Sequence, residues 1–363
     1  MRVGLVIYGS LDILTGGFIY DRELVDYLRG EGTSVEVYPL PWRNYVAHLT
    51  DNFSFRFIKQ LRDSKVDILL QDELNHPSLI TSNSLFLRSR EFPVVSIVHH
   101  LRSSELRSNI ANRLYQKVEK QYLKSTDGLI FNSHTTRKSV HNIGIKNKPF
   151  VVAHPGRNFE NPGVERGFIR ERAEQRGPIK LLFVGSLIPR KELHTLLEAV
   201  LQIPKNKWTL KVVGSLETDK HYAQSVIGSL KRLDLENNVE LLGSMTRKDL
   251  EMEYMKSHVL AVPSSYEGFG IVYLESMGFG CPSLATTAGA AHEIITDGLN
   301  GFLVSPGDTN AIAEKISLVA DDRKVLAQMG IAALDRFTAH PTWRQSCEKI
   351  YDFMKEMVHT NHV

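Results

Sequence analysis

The chain has 363 residues, of which 42% are hydrophobic and 23% are charged, and its formal net charge is +3. This length favours two domains, the composition is that of an ordinary globular protein, and so small a charge does not indicate nucleic-acid binding. The two cysteines, Cys281 and Cys347, form neither a disulfide framework nor a cysteine-based metal motif. A reducing, cytoplasmic setting is therefore expected. The N-terminal run MRVGLVIYG predicts a strand and not a secretion signal.

The first half alternates short apolar runs with segments of helical period. Strands are predicted at residues 3–8, 34–38, 66–70, 94–98 and 128–131, with a further strand at 149–153. Helices are predicted at residues 17–30, 53–64, 109–124 and 133–143. This alternation is typical of a parallel sheet with crossover helices. Residues 1–155 are therefore predicted to form an N-terminal Rossmann-like domain.

A polar segment, GRNFENPGVERGFIRERAEQRGP at residues 156–178, follows and is predicted to be a linker or surface excursion. Beyond it the alternation resumes. Strands are predicted at 180–184, 210–213, 239–242, 259–262 and 282–286, and helices at 191–201, 221–233, 248–256, 270–278, 288–296, 309–320 and 321–337. The absence of a short-period repeat excludes a solenoid.

The predicted fold class is therefore α/β, with two doubly wound domains that face each other across a cleft. The second domain covers residues 179–340. In such sheets ligands bind at the carboxyl ends of the strands.

The first strand-to-helix junction is YGSLDILTGGF at residues 8–18. Gly16 and Gly17 stand where a helix begins, and bare N–H groups at a helix start attract phosphate. An ordinary tight turn is the alternative. The chain contains neither G-x-G-x-x-G nor a Walker lysine motif, so the sequence supports neither nicotinamide binding nor a P-loop.

The second junction is FVGSLIPRK at residues 183–191. A strand ends at Gly185, and Arg190 and Lys191 follow a proline. These cations can neutralise a diphosphate, and the alternative is a solvated charge pair. Cations at a helix N-terminus oppose the helix dipole, and a bound anion would remove that conflict.

The third junction is EGFGIVYLE at residues 267–275. The carboxylates Glu267 and Glu275 flank an apolar run, and a helix is predicted to start near Gly270. Gly268 and Gly270 permit a ligand to approach the backbone closely. The carboxylates can accept hydrogen bonds from sugar or ribose hydroxyls. The alternative is that Glu267 only favours the helix dipole and Glu275 is merely exposed.

The sequence PSSYEGFGIVYLESMGFGCP, followed by TTAGAAHEIITDGLNGFLVSPGD, resembles the nucleotide-sugar site of the retaining GT-B glycosyltransferases of family 4. The resemblance is strongest over residues 179–308 and is weaker in the first half. It extends to TWRQSCEKIYDFM, similar to the family's final helix, so residues 341–358 are expected to pack back on the first domain.

The resemblance implies a role for each matched donor-site residue. Glu275 would bind the ribose hydroxyls and Glu267 the sugar ring. Backbone N–H groups beside the sugar would come from Gly268, Phe269, Gly270 and Ile271. Lys191, with Arg190, would hold the diphosphate and stabilise the leaving group.

Other matched residues surround this donor site. Gly243 and Met245 lie in the loop that would flank the base. In the first domain, Gly16 and Gly17 would approach the phosphate. His99 would lie by the transferred sugar, although the neighbouring His100 leaves the choice of histidine open.

The chain departs from the family pattern at three places. The family often has Gly-Arg where this chain has Gly185 and Ser186, so Arg190 is expected to supply the missing cation. Glu192 stands where a glycine usually follows the lysine. Residues 289–290 are Gly-Ala and not Gly-Gly.

The resemblance implies retention at the anomeric carbon and the transfer of a hexose (EC 2.4) from a UDP or GDP sugar to a glycan or lipid-linked acceptor. The sequence contains no Asp-x-Asp, so no metal and no cofactor are expected, and Arg190 and Lys191 are expected to stabilise the leaving group. A sugar-nucleotide epimerase of the same fold and a non-catalytic nucleotide-sugar-binding module are the alternatives.

Acceptors bind the first domain in this fold. Loop residues 72–77, DELNHP, end a strand there and can contact an acceptor. The predicted helix 109–124 is basic and amphipathic, with Arg113, Lys117, Lys120 and Lys124 at helical spacing. Such a helix can contact anionic lipid from the cytoplasmic side, although the solvated face of a packed helix is the alternative. The sequence does not indicate an oligomeric state.

Overall fold

The computed structural model describes residues 1–13, 15–86, 90–105, 107–157 and 162–361. The chain divides into two compact units. Unit 1 comprises Met1–Gly156 and Pro341–Val363, and unit 2 comprises Arg157–His340. Among the described residues, no helix combines the length and the apolar character needed to cross a membrane.

The strands and helices are numbered in chain order. The strands are β1 (Arg2–Tyr8), β2 (Ser34–Leu40), β3 (Ile68–Asp72), β4 (Val94–Val98), β5 (Gly128–Phe131), β6 (Phe150–Val152), β7 (Ile179–Val184), β8 (Trp208–Val213), β9 (Val239–Gly243), β10 (Val259–Ala261), β11 (Ser283–Thr286) and β12 (Gly301–Val304). The α-helices are α1 (Gly16–Gly30), α2 (Tyr45–Leu49), α3 (Phe55–Arg62), α4 (His76–Thr81), α5 (Asn109–Ser125), α6 (His134–Asn142), α7 (Arg166–Glu174), α8 (Leu193–Val200), α9 (Lys220–Arg232), α10 (Arg247–Lys256), α11 (Ile271–Gly278), α12 (Thr309–Asp321), α13 (Arg323–Thr338) and α14 (Trp343–Asn361). Short 3₁₀ turns include Thr50–Phe53, Pro189–Lys191 and Ala291–Glu293.

Unit 1 contains a parallel sheet with the strand order β2-β1-β3-β4-β5-β6. Strands β1, β4 and β5 are buried apolar runs, as expected for a sheet covered by helices on both faces. The direction of winding reverses between β1 and β3, and in open α/β sheets the binding crevice lies outside the carboxyl ends of the strands at such a reversal. Asp72 ends β3 at this edge of the sheet.

Helix α14 belongs to unit 1 although it ends the chain. It packs against α1 and β6, and Cys347, Ile350 and Met354 are buried in the core on this face of the sheet. A side chain at Gly156 would come within 2.2 Å of the backbone nitrogen of Trp343. Glycine therefore permits the close backbone approach at the start of α14.

Unit 2 has the strand order β12-β11-β10-β7-β8-β9, again with parallel pairs. Counted from β7, this is the order 3-2-1-4-5-6 of a dinucleotide-binding sheet. The winding reverses between β7 and β10. The loops that follow these two strands are therefore the expected location of a ligand. The predicted α/β fold with two Rossmann-like sheets is confirmed.

The segment predicted to be a linker or surface excursion contains helix α7. Ile169, Arg172 and Ala173 are buried on one of its faces. The guanidinium of Arg172 donates hydrogen bonds to the carbonyls of Met255, Phe279 and Gly280 at 2.6–3.1 Å. These carbonyls lie at the carboxyl ends of α10 and α11, where a helix lacks internal donors. The charged residue Arg172 thus lies on the buried face of α7. The polar composition of the segment did not indicate that this face would be packed.

The prediction of a helix at residues 288–296 is wrong. The structure has only the 3₁₀ turn Ala291–Glu293 there. Gly289 forms a parallel bridge with Glu267, and the N–H of Ala290 donates to the Glu267 carbonyl at 2.9 Å. This pairing fixes the backbone outside helical geometry. Strand β12 was not predicted.

Candidate functional site

Two loops meet at the winding reversal of unit 2. The loop after β7 carries Arg190 and Lys191 in a 3₁₀ turn, and the loop after β10 carries Glu267 ahead of α11. The Ser265 N–H donates to the Arg190 carbonyl at 2.9 Å and joins the loops. Residues that are far apart in sequence are thereby brought together.

The charged side chains of these loops form one cluster. The Lys191 Nζ lies 2.6 Å from the Glu267 Oε1, and the Arg190 Nη1 lies 3.4 Å from the same oxygen. Arg190 also donates to the Tyr266 carbonyl at 2.7 Å. The Lys191 and Glu267 side chains are only 13% and 10% exposed. Two cations around one carboxylate leave a local excess of positive charge, which favours binding of an anion.

The ionisation of these groups follows from their environment. Burial raises the pKa of Glu267, but Lys191 and Arg190 outweigh it and lower that pKa to about 2. Burial lowers the pKa of Lys191, and repulsion from Arg190 acts in the same direction against the attraction of Glu267. Glu267 is therefore an ionised acceptor at neutral pH.

Two glycines determine the backbone around this pair. Gly289 has φ +89°, and a Cβ there would lie 2.0 Å from the Glu267 carbonyl oxygen. A Cβ at Gly185 would lie 3.2 Å from Cε of Lys191. Gly185 and Ser186, both partly exposed, follow β7 directly. The prediction from sequence included Gly185 but not the contact that Gly289 makes.

Helix α11 begins at Ile271, four positions after Glu267. Its N-cap is Gly270, with φ +89° and no side-chain capping bond, which leaves first-turn N–H groups without a side-chain cap. Gly268 and Ile271 are partly exposed, whereas Phe269 is buried and its ring belongs to the core. Phe269 can thus contact a ligand only through its backbone.

Glu275 lies on α11 and is partly buried. Its Oε2 accepts a hydrogen bond from the Tyr254 hydroxyl at 3.1 Å. Tyr254 itself is fully buried, so this bond orients the carboxylate. The alternative of a merely exposed Glu275 is not supported. No spacing in the sequence pointed to Tyr254, which lies 21 positions away.

The loop predicted to flank a base lies at the same edge of the sheet. Gly243 ends β9 with φ +69°, and its carbonyl accepts from the Gly214 N–H at 2.9 Å. The Gly185 N–H donates to the Val213 carbonyl at 2.9 Å. The ends of β7, β8 and β9 are thus tied together, and Met245 packs partly on the core beside them.

The candidate site of unit 1 centres on His99, which follows β4. Its Nε2 lies 3.2 Å from Oδ1 of Asp21, a fully buried residue of α1. Gly16 and Gly17 form the start of α1, and a Cβ at Gly17 would come within 3.1 Å of the His99 ring. The structure therefore brings His99 and Gly17 together at the start of α1.

Burial lowers the pKa of His99, but Asp21, Asp72 and Glu73 outweigh that effect and raise the pKa to about 9. Asp21 was missed from sequence. The periodicity of α1 contained the signal, because Asp21 falls on the same face as the buried Phe18, Leu24 and Leu28. His100 instead lies 3.0 Å from Glu105, a separate pair.

The DELNHP loop is more buried than expected for an acceptor loop. Burial raises the pKa of Asp72 and of Glu73 to about 7, and repulsion from Asp21 contributes at Asp72. His76 is buried, with Nε2 3.0 Å from the Tyr45 hydroxyl, and burial lowers its pKa to about 4. The buried side chains of Asp72, Glu73 and His76 thus anchor the loop in the interior of unit 1.

Two groups among the described residues have carboxylate and imidazole atoms within 4.8 Å of one another, a spacing that allows a shared metal ion. They consist of Asp21, Asp72 and His99, and of Glu73, His76 and Glu119. Within unit 1, His99 pairs with Asp21, His76 pairs with Glu73, and the Ser103 N–H donates a hydrogen bond to Glu119.

Comparison with known families gives two matches along the chain. The family described as Glycosyl transferases group 1 matches residues 165–336, and Glycosyltransferase Family 4 matches residues 16–161. The first match contains the Lys191–Glu267 cluster, and the second contains Gly17 and His99.

Curated relatives match part of the chain. An uncharacterized 41.2 kDa protein in the cps region of Klebsiella pneumoniae is 30% identical over 56% of this chain and 54% of its own length. D-inositol 3-phosphate glycosyltransferase of Corynebacterium diphtheriae is 27% identical over 79% and 66%. The capsular polysaccharide biosynthesis glycosyltransferase CapM of Staphylococcus aureus is 29% identical over 48% and 46%. The chain thus spans about half to two thirds of the length of these relatives.

Solved structures match the whole chain in fold. Sucrose-phosphate synthase from Thermosynechococcus elongatus has a TM-score of 0.84 with 19% identity and covers 99% of this chain and 100% of that one. HepE of Anabaena, in complex with UDP, has a TM-score of 0.76 with 20% identity and covers 98% and 100%. At these identities the likeness concerns the fold.

Proposed function

Because the chain belongs to the GT-B glycosyltransferases of the group 1 and family 4 type, we propose that it transfers a hexose from a nucleotide-diphosphate sugar to an acceptor. The observation that carries the proposal is the cluster of Arg190, Lys191 and Glu267 at the winding reversal of unit 2. A sheet of this order binds a nucleotide at that position. The cluster offers cations for a diphosphate and an ionised carboxylate for hydroxyl groups.

Each residue has a separate task in the proposed reaction. Glu275, oriented by Tyr254, binds ribose hydroxyls, and Glu267 binds the sugar ring. As the glycosidic bond to the diphosphate breaks, negative charge develops on the phosphate oxygens. Lys191 and Arg190 stabilise that charge where it forms. Their partly buried position strengthens the interaction because the local dielectric constant is lower than in water.

The same cations are the basis for proposing a metal-independent transfer. A diphosphate leaving group needs positive charge, and Arg190 and Lys191 supply it from the chain itself. Retention at the anomeric carbon is proposed on the family resemblance. For unit 1, His99 and the Gly16–Gly17 pair are proposed to act on the transferred group and the phosphate.

The proposed acceptor is a glycan or a lipid-linked acceptor, in polysaccharide or glycolipid biosynthesis. The support is that one relative is encoded in a cps region and another is a capsular polysaccharide glycosyltransferase. The base is proposed to be uracil or guanine. HepE was solved with UDP, which makes UDP the first nucleotide to test.

The experiment is a thermal-shift screen of UDP, GDP, ADP and their sugars, with a Lys191→Met variant in parallel. A ligand that binds only the native state raises the melting temperature by mass action. One base should raise it in the natural protein and less in the variant. No stabilisation by any of these nucleotides would refute the donor-site assignment.

A second measurement separates transfer from the other reactions of the fold. The selected donor, radiolabelled in its sugar, is incubated with and without extracted glycolipid. Labelled glycolipid supports the transferase. An epimerised sugar nucleotide formed without any acceptor would identify an epimerase, and donor binding with no turnover under any acceptor would favour a binding module.

A further inference from the structure

Unit 1 exposes large apolar side chains in two of its segments. In the segment after β2 these are Trp42, Val46, Phe53 and Phe55, which are 58–72% exposed, and on α5 they are Ile110 and Leu114, which are 75% and 59% exposed. Single exposed apolar residues are ordinary, but a group of them marks an interaction surface. We name these six residues and the cations between them the apolar–basic surface.

The topology of unit 1 places the two segments at one edge of the sheet. The first segment follows the carboxyl end of β2, and the loop into α5 follows the carboxyl end of β4. The strands are parallel, so these ends lie at the same edge. The rings of Tyr45 and Tyr115 touch edge to face with centroids 4.8 Å apart. This contact joins α2, which carries Val46, to α5, which carries Leu114.

The charges of this surface have one sign. In residues 41–60 and 109–118, the exposed charged side chains are Arg43, Arg56, Lys59, Arg113 and Lys117. The single acid of these two ranges, Asp51, is buried and paired with Arg43. An apolar surface surrounded by cations complements a bilayer with anionic headgroups, into which aromatic and aliphatic side chains can insert. A protein partner that carries both acidic and basic groups would be matched by a surface with both signs of charge, whereas this surface exposes only cations.

We infer that the apolar–basic surface of unit 1 docks on a bilayer that contains anionic lipid. Trp42 and the two phenylalanines enter the headgroup region, and the arginines and lysines contact lipid phosphates. This inference deepens the proposed function, because a lipid-linked acceptor would be presented at the carboxyl edge of the unit 1 sheet. Only that link to the acceptor rests on the proposed function, since docking itself needs no donor.

The test is flotation of the full chain with phosphatidylcholine vesicles and with vesicles that also contain phosphatidylglycerol. The chain should float with the anionic vesicles, and added salt should weaken the binding. An Arg113→Gln/Lys117→Gln variant should bind roughly 10- to 30-fold more weakly, since each cation near an anionic surface contributes about 1 kcal/mol. The matched control, Lys231→Gln/Arg232→Gln on exposed positions of α9, should bind like the natural chain.

Trp42 supplies an independent readout. Of the three tryptophans, Trp208 is fully buried and Trp343 is partly buried, whereas Trp42 is exposed. Anionic vesicles should therefore blue-shift the fluorescence, and a Trp42→Phe variant should lose that shift. A Phe53→Ser/Phe55→Ser variant should reduce flotation at high salt, while Leu299→Ser at an exposed site of unit 2 should not.

Three outcomes would overturn the inference. One is equal binding to neutral and anionic vesicles, and another is an unshifted Trp42 spectrum. The third is a chain that does not bind vesicles but forms a dimer, which the Phe53→Ser/Phe55→Ser variant abolishes. That result would identify a second copy of the chain as the partner of the apolar–basic surface. Nucleotide affinity is measured on the same variants. If it stays unchanged while flotation is lost, the result concerns docking and not the donor site.

Discussion

The ammonium group of Lys191 and the carboxylate of Glu267 form a 2.6 Å ion pair across 76 positions of sequence. The pair occupies the site proposed for the donor. When a nucleotide-diphosphate sugar binds, its phosphates therefore contact a lysine that already pairs with Glu267. Its sugar likewise contacts a carboxylate that already pairs with Lys191. The pair preorganises both groups, which reduces the reorganisation needed when the donor binds.

Replacing Lys191 by methionine should reduce kcat by roughly 10²- to 10³-fold, the usual effect of removing one charge-stabilising donor. The free energy of unfolding should also fall, by about 3 kcal/mol, because Glu267 loses one partner of a buried pair. This is the low end of the usual cost, since Arg190 still pairs with Glu267. Steady-state kinetics and chemical denaturation measure the two effects. The control is Lys207→Met, which removes an exposed pair with Asp321 and should change neither. A fully active Lys191→Met enzyme would contradict the role in leaving-group stabilisation.

The pH dependence of the same pair has a definite sign. The pKa of Glu267 is lowered to about 2 in the folded chain, so the pair stabilises the fold above the ordinary carboxylate pKa of about 4.5, and that contribution is lost as the pH falls through about 2. In Lys191→Met the pKa should rise. Acid unfolding curves of the two proteins should therefore converge at low pH, and parallel curves would contradict the pairing.

Glu275 and Glu267 should differ in which ligands they affect. Glu275→Ala should weaken binding of both the nucleoside diphosphate and its sugar by about 10- to 100-fold, since a hydrogen bond to a charged group contributes about 1.5–3 kcal/mol. Glu267→Gln should weaken the sugar nucleotide more than the free diphosphate. Calorimetry with both ligands measures the contrast. Tyr254→Phe, which removes only the orienting bond, should fall between Glu275→Ala and the natural protein, and equal losses for both ligands in Glu267→Gln would refute its role at the sugar.

The sequence was sufficient for most strands of the two sheets, because buried parallel strands are short apolar runs that end at polar residues. The predicted strands 94–98 and 128–131 coincide with β4 and β5. It was not sufficient for α7, whose helix is held by a buried arginine, or for β12. Short helices such as α2 and α4 have too few residues to show a period.

At the candidate site, the sequence predicted the residues but not their partners. Lys191 and Glu267 were predicted because each follows a strand, and strand ends converge in this fold. Their direct contact depends on the order of β7 and β10 in the sheet, which no local pattern encodes. The same holds for Asp21 and His99, which are 78 positions apart.

Gly289 should not tolerate alanine. A Cβ there would lie 2.0 Å from the Glu267 carbonyl oxygen at φ +89°, so the loop that carries Glu267 must move. Donor affinity should fall more than tenfold, because displacing Glu267 costs at least about 1.4 kcal/mol of binding. Gly298→Ala is the matched control, since it has φ +73° but open space around its Cβ. It should lose about 1 kcal/mol of stability from backbone strain and keep its donor affinity. An unchanged affinity in Gly289→Ala would show that the contact does not position Glu267.

Asp21 should keep His99 charged at neutral pH. Burial alone lowers the pKa of His99, and the carboxylates, with Asp21 closest, raise it to about 9. A raised histidine pKa stabilises the fold fully below about pH 6.5, and this contribution is lost as the pH rises through about 9. Asp21→Asn keeps the shape of the side chain but removes its charge. The pKa of His99 should then fall, and the alkaline limb of kcat/KM should move to lower pH.

Imidazole proton shifts measured by NMR, assigned with a His99→Gln variant, give the pKa of His99 directly. Asp26→Asn is the matched control, because Asp26 lies on the exposed face of the same helix α1. It should leave the titration of His99 unchanged. A titration that is the same in Asp21→Asn would show that Asp72 and Glu73 hold the charge instead. If the NMR titration moves while the kcat/KM profile does not, Asp21 governs the protonation of His99 and this protonation does not limit the reaction.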